Sequence, residues 1–273
     1  MPIAKVKTII TIGGRRMKRF ITAVSALVLI ACLAVMPAGA QAASKKKSVY
    51  VISSISVTEG GKKRTIKPTY RTDGLLKKLK RELKDESWTE SFSYGKKGRI
   101  IKHTEKILSG SHKGMGTTIE YTWKGGRLTK KVELYSEGDS GTTTYTYDPK
   151  GRIASSSNGF EVMKYTYKKG HVVKATGDHI KYSATLDPKG NVKKWNRKYD
   201  GQKIGYYNAK ITYKSGRVKK LTRTFKANPM QEKEQKQTFT FKYKKKSVPK
   251  SLVDKIADQQ WKLTNEPADS FAW

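Results

Sequence analysis

Over most of the chain, apolar residues recur at every second position with a small polar residue, usually Thr or Ser, between them. The clearest examples are Phe92-Ser-Tyr94, Tyr121-Thr-Trp123, Tyr145-Thr-Tyr147, Tyr165-Thr-Tyr167, Ile211-Thr-Tyr213 and Phe239-Thr-Phe241. A spacing of two is the period of a β-strand that buries one face and wets the other. After each of the first five comes a glycine, and two residues beyond it an aliphatic: Gly98 with Ile100, Gly126 with Leu128, Gly151 with Ile153, Gly170 with Val172 and Gly216 with Val218. Tyr70 with Gly74 and Leu76, and Leu186 with Gly190 and Val192, fit the same frame. Phe239-Thr-Phe241-Lys-Tyr243 reads as an eighth copy without its glycine.

The seven glycines lie 24, 28, 25, 19, 20 and 26 residues apart, so the unit is fixed at its turn and free in length elsewhere. Asp148-Pro149-Lys150-Gly151 shows why the turn is fixed. Asp can cap it, Pro pre-sets the backbone of the second position, and Gly accepts the left-handed conformation that follows. Other turn signals, such as Ser109-Gly110, Glu137-Gly138-Asp139, Asn158-Gly159 and Asp200-Gly201, fall between units. The pattern predicts an all-β fold, a curled antiparallel up-and-down meander of repeated β-hairpins with about 14 to 16 short strands. One segment has a helical period. After Pro249, the residues Val253, Ile256, Ala257 and Trp261 share a face of the stretch 251–261, which predicts a short C-terminal helix.

Residues 1–42 differ from everything after them. Lys5, Lys7, Arg15, Arg16, Lys18 and Arg19 lead into an apolar run from Phe20 to Met36, and no acidic residue occurs there. Pro37 ends the run, and Ala38-Gly39-Ala40-Gln41-Ala42 offers small residues for cleavage after Ala40 or Ala42. These are the marks of a secretory signal peptide, and they predict a mature chain starting at Gln41 or Ala43. Leu29-Ile30-Ala31-Cys32 also has the form of a lipobox, the alternative in which Cys32 anchors the chain to a membrane through lipid. The organisation is then a signal peptide (1–42), an N-terminal segment with the first strand (43–65), a hairpin-repeat domain (66–248), and a short helix and tail (249–273).

Lys and Arg number 58 against 22 Asp and Glu, a net charge of +36; with six basic residues in the signal, the mature chain keeps +30. Hydrophobic residues are only 36% of the chain while aromatics reach 10%, a balance that suits a pleated surface better than a helical bundle. Cys32 is the one cysteine, which excludes an intramolecular disulfide and a thiolate metal cage.

The fourth unit, Gly141 to Gly159, resembles the YD repeat of the Rhs and teneurin-type proteins: Tyr145, Tyr147, Asp148, Gly151, Arg152 and Ile153 all match that motif. Other units keep the aromatic pair and the glycine but replace the Asp, with Gly95, Lys124, Lys168 and Lys214 in its place. The resemblance covers about residues 66–248. It implies a curled sheet and a surface or extracellular location for a short secreted member. Long arrays of that family curl into a shell around a cargo; seven or eight units are too few for this, and no cargo domain follows.

No nucleophile elbow, zinc-protease motif, P-loop or dinucleotide loop is present, so no catalytic residue, metal site or cofactor is expected. Glu86 and Glu90, flanked by Lys80, Arg81 and Lys84, read as a solvated charge pattern rather than a glycosidase pair, and His103 and His112 read as surface residues. What remains is basic charge interleaved with aromatics. Lys96, Lys97, Lys168, Lys169 and Lys214 stand at turn tips and are candidates for binding an anionic cell-wall polymer or acidic glycan. Tyr121, Trp123, Tyr145 and Tyr147 are candidates for stacking on sugars, against the alternative that they are the sheet's core. The chain reads as a secreted or cell-surface, non-enzymatic binding or structural protein. Two alternatives remain, a carrier of an apolar ligand in the curled sheet and an enzyme acting on envelope glycan.

Overall fold

The computed structural model describes residues 46–83, 86–226 and 233–265; the signal sequence and Cys32 lie outside them. The strands are β1 (Lys46–Glu59), β2 (Lys62–Tyr70), β3 (Leu76–Leu83), β4 (Glu86–Tyr94), β5 (Ile100–Ser109), β6 (Gly116–Lys124), β7 (Arg127–Tyr135) and β8 (Ser140–Tyr147), then β9 (Ile153–Ser157), β10 (Val162–Lys168), β11 (His171–Thr176), β12 (Ile180–Leu186), β13 (Val192–Tyr199), β14 (Gln202–Lys214), β15 (Arg217–Lys226) and β16 (Gln235–Pro249). Among the described residues one α-helix is present, α1 (Val253–Asn265), which follows a short 3-10 turn at Lys250–Leu252. It ends four residues beyond the stretch that the periodicity marks.

Each strand pairs antiparallel with its neighbours in sequence, and β16 returns to β1, so the expected hairpin meander is present and closes into a barrel. Closure falls to the long first strand. β1 lies beside β16 from Lys46 opposite Pro249 to Glu59 opposite Gln237, and pairs with β2 over Ile55–Glu59. The described part of the N-terminal segment, residues 46–65, therefore belongs to the same sheet as the repeats. The repeats and β1 together enclose an interior lined by side chains.

All seven turn glycines have positive φ, from 66° at Gly98 to 93° at Gly74. The glycine turns gather at one rim of the barrel and the other hairpins at the opposite rim. At the second aromatic of every unit the register slips by one residue, between Ser93 and Tyr94, Thr122 and Trp123, Thr146 and Tyr147, and equivalently at Tyr70, Tyr167, Leu186 and Tyr213. This is a β-bulge, one extra residue on the return strand. It sets the aromatic opposite the aliphatic that follows the glycine, as Tyr94 faces Ile100 and Trp123 faces Leu128.

One apolar cluster lines the interior, including Ile55, Ile66, Leu79, Phe92, Tyr121, Tyr145, Leu221, Phe239 and Phe241. The outer wall is basic, with Lys78, Lys80, Lys102, Lys164, Lys181, Lys198, Lys220 and Lys242 all exposed on strands. That polarity is the reverse of a membrane barrel, whose outer surface is an apolar band and in which a lysine at mid-bilayer costs about 2–4 kcal/mol. Among the described residues no helix is long and apolar enough to cross a membrane.

Two glycines separate backbone strain from crowding. A Cβ on Gly170 would meet nothing within 4 Å, whereas one on Gly74 would lie 2.4 Å from Val248 Cγ1 and 2.8 Å from Ile256 Cδ1. Chemical denaturation should show Gly170→Ala costing about 1 kcal/mol, the strain of left-handed backbone. Gly74→Ala should cost about 1–3 kcal/mol more, because α1 must move off its seat.

Candidate functional site

In most units the second aromatic does a specific job at the glycine-turn rim: its polar atom donates to the main-chain carbonyl of the aliphatic that follows the preceding unit's glycine, whereas Tyr213 of the seventh unit donates to the Asp187 carboxylate. Tyr94 Oη reaches Leu76 O at 2.6 Å, Trp123 Nε1 reaches Ile100 O at 2.7 Å, Tyr147 reaches Leu128 O and Tyr167 reaches Ile153 O at 2.8 Å each, and Tyr243 reaches Val218 O at 2.9 Å. Tyr70 does the same to Ile52 O at 2.7 Å. A basic side chain from the preceding turn lies over each ring. Arg71 covers Tyr94, Arg99 covers Trp123, Arg127 covers Tyr147, Arg152 covers Tyr167 and Arg217 covers Tyr243, with guanidinium carbons 4.6–5.8 Å from the ring centroids. These are cation–π contacts linking unit to unit.

The stacking candidates are consequently committed to the protein itself. Tyr121 and Tyr145 are buried, and Trp123 and Tyr147 are half-buried with an arginine on the ring and the polar atom bonded to backbone. This favours the core alternative over glycan stacking: residues two apart on a strand share a face, and here that face is the interior.

The lysine candidates are exposed. Lys96 and Lys97 occupy the turn between β4 and β5, Lys168 and Lys169 that between β10 and β11, and Lys214 that between β14 and β15. They are not one cluster but members of a ring, which Lys124, Lys150, Lys189 and Lys250 extend. Successive tips are two strands apart, about 9–10 Å. Lys169 Nζ also bonds the neighbouring turn at Pro188 O, at 2.5 Å. The acids of these turns are consumed locally. Asp73 bonds Leu75 N and Arg71, and Asp187 bonds the Lys189 and Asn191 amides and the Tyr213 hydroxyl. Asp148 takes the Arg152 amide at 2.8 Å and its guanidinium at 2.6 Å; desolvation opposes this, but those bonds hold its carboxyl below the usual range. Half-buried Lys255 of α1 is pushed down to about 8, first by burial and then by Arg99 and Lys97.

Unit six lacks the second aromatic, having Leu186, and α1 supplies a substitute. Trp261 stacks on His171 with centroids 4.0 Å apart, and its Nε1 donates to Gly190 O at 2.8 Å. Asn265 Oδ1 accepts from Val192 N at 2.6 Å. On the far side of the barrel, Gln260 accepts from Ile52 N at 2.7 Å and Gln259 from Leu76 N at 2.9 Å. The helix thus bridges β1 and β3 to the β12–β13 turn across the glycine-turn rim.

The interior holds charge that sequence patterning assigns to the surface. Glu90 is fully buried, 2.7 Å from Arg81 and 3.2 Å from His103 Nε2, and His103 is buried and stacked on Phe92 at 4.7 Å. Lys131, one of the return-strand lysines, is buried 3.1 Å from Glu133. The bulge is the reason: after an inward aliphatic, the next inward residue is three positions on, as from Ile100 to His103 and from Leu128 to Lys131. Both buried glutamates are tied to cations, so neither is offered as a catalytic acid or nucleophile. Among the described residues no group of three or more His, Cys, Asp and Glu could hold a metal ion.

No known protein family matches the chain, and no curated protein matches it. Among solved structures it is similar to a porin-like protein from Bacteroides uniformis (11% identity over 71% of this chain and 96% of that one, TM-score 0.45). It is also similar to one from Bacteroides vulgatus (12%, 71% and 98%, TM-score 0.34) and to the Tc holotoxin pore of Photorhabdus luminescens (9%, 63% and 14%, TM-score 0.26). Likeness this distant carries no argument about activity.

The α1 contact titrates. Burial lowers the His171 pKa below its ordinary 6.5, Asp258 opposing and Lys262 adding to the shift. Below that value the unfolded chain binds more protons than the folded one, so this contribution is full above about pH 6.5 and is lost as pH falls through it. Melting between pH 7.5 and 5 should show a loss that shrinks in His171→Phe, which keeps the stack on Trp261 without the proton.

Proposed function

We propose that the protein is a secreted or cell-surface, non-enzymatic binding protein that engages an anionic polymer of the cell envelope, a wall polymer or acidic glycan, through the lysine-bearing rim of its barrel. The observation that carries this is the asymmetry of the turn charges. Arginines are spent on aromatic rings and aspartates on their own turns, while lysines recur at the tips and stay exposed. A ring of point charges about 9–10 Å apart meets a repeating anion without needing a shaped pocket. Export is supported by the N-terminal pattern, and the unit-to-unit bonds support reading the repeats as YD-type modules used for architecture.

Sedimentation of the mature chain with purified anionic wall polymer at rising salt tests it. Binding by counterion release must weaken steeply with salt. Replacing Lys96, Lys97, Lys168, Lys169 and Lys214 with Gln should weaken binding and flatten the salt slope while the melting midpoint stays within a degree or two. Binding that ignores salt, or that survives the five replacements undiminished, overturns the proposal.

A further inference from the structure

The interior is unevenly filled. From β16 round to β7 the inward positions carry large side chains such as Phe239, Phe241, Leu79 and Phe92, whereas from β8 to β14 many are small, among them Gly141, Ser156, Ala175, Ala184 and Gly205.

Within this sector Tyr182 of β12 and Arg197 of β13 stand opposite one another and face inward. They are 2% and 6% exposed, with the guanidinium carbon 5.7 Å from the ring centroid. Neither the Tyr182 hydroxyl nor Arg197 Nε has a hydrogen-bond partner. The other buried cations are provided for: Arg81 by Glu90, Lys131 by Glu133, Lys262 by Asp258, and Arg223 by a hydrogen bond to Gln237. Arg197 has no carboxylate within ion-pair distance among the described residues. Glu161 is committed elsewhere, taking the His179 and Ile180 amides at 3.0 Å each. Around the pair lie Met163, Ala175 and Ile180, and Trp195, whose ring is 5.9 Å from that of Tyr182. Arg197 is two residues from Tyr199, at the rim opposite α1, so the pair lies far from the lysine ring.

A buried guanidinium with no counter-charge destabilises a fold unless something compensates it. We propose that Arg197 and Tyr182 form an internal site for a small organic oxyanion, its carboxylate or phosphate paired with the guanidinium and the phenol and its apolar body lodged beside Trp195. The site is independent of polymer binding at the lysine rim.

Thermal melting of the mature chain with benzoate, phenyl phosphate or inorganic phosphate tests it. An organic anion should raise the wild-type midpoint by several degrees and leave Arg197→Gln unmoved. Without ligand, Arg197→Gln should melt at or above wild type, because a neutral amide removes the uncompensated charge. Tyr182→Phe keeps the ring and should bind several-fold more weakly at an unchanged midpoint, which serves where Arg197→Gln does not fold. The proposal is overturned if no organic anion protects the wild type, if protection persists in Arg197→Gln or is undiminished in Tyr182→Phe, or if inorganic phosphate alone protects as well.

Discussion

The hydrogen bond from the second aromatic of most units to the main-chain carbonyl of the unit before it is the contact on which the rest of the barrel depends. An isolated hairpin is marginal in water, and successive hairpins in a meander are otherwise joined only by strand pairing. Each bulge disrupts that pairing near the glycine turn. The aromatic closes the gap with a directional bond, and an arginine from the preceding turn screens its outer face. Repeated at Tyr70, Tyr94, Trp123, Tyr147, Tyr167 and Tyr243, the contact ties each of these hairpins to the strand or unit before it in a meander that returns β16 to β1. In unit six, where Leu186 cannot make it, Trp261 of α1 stacks on His171 and donates to Gly190 O, so the helix ties that unit to the rim it crosses.

The same bulge decides what lies inside. By adding one residue after the aliphatic it carries His103 and Lys131 to the interior, where strict alternation would leave them in water. The consequence is an interior with ion pairs, Arg81 with Glu90 and Lys131 with Glu133, inside an otherwise aromatic and aliphatic wall. Such pairs seldom add stability, but each member is intolerable without the other. They therefore constrain register: a slip of one residue would strand a charge in the core.

Arginine and lysine divide the work at the glycine-turn rim. Arginine's flat, weakly hydrated guanidinium suits a ring face and follows the glycine in several units. Lysine, a strongly hydrated point charge, holds the tips. The outcome is a rim whose structural cations are absorbed and whose remaining charge faces solvent, with Asp73, Asp148 and Asp187 withdrawn into their own turns.

Much of this is legible in the chain itself. The spacing of two in Tyr145-Thr-Tyr147, the turn chemistry of Asp148-Pro149-Lys150-Gly151 and the recurrence of both dictate the hairpins, their number and the positive φ of the glycines, because these are local properties of a few adjacent residues. The helix near Val253 follows from its own period for the same reason. The exposure of Lys96, Lys168 and Lys214 follows from their place at tips. Three things were settled only in three dimensions. The sheet closes because many small rotations sum to a full circle, and no single unit carries that total. The bulge reverses the facing of residues beyond it, so strict alternation misplaces His103 and Lys131. Arg197 opposite Tyr182 and Trp261 against His171 join residues that the sequence sets 15 and 90 positions apart, and only the register of β12 on β13 and the seat of α1 bring them together.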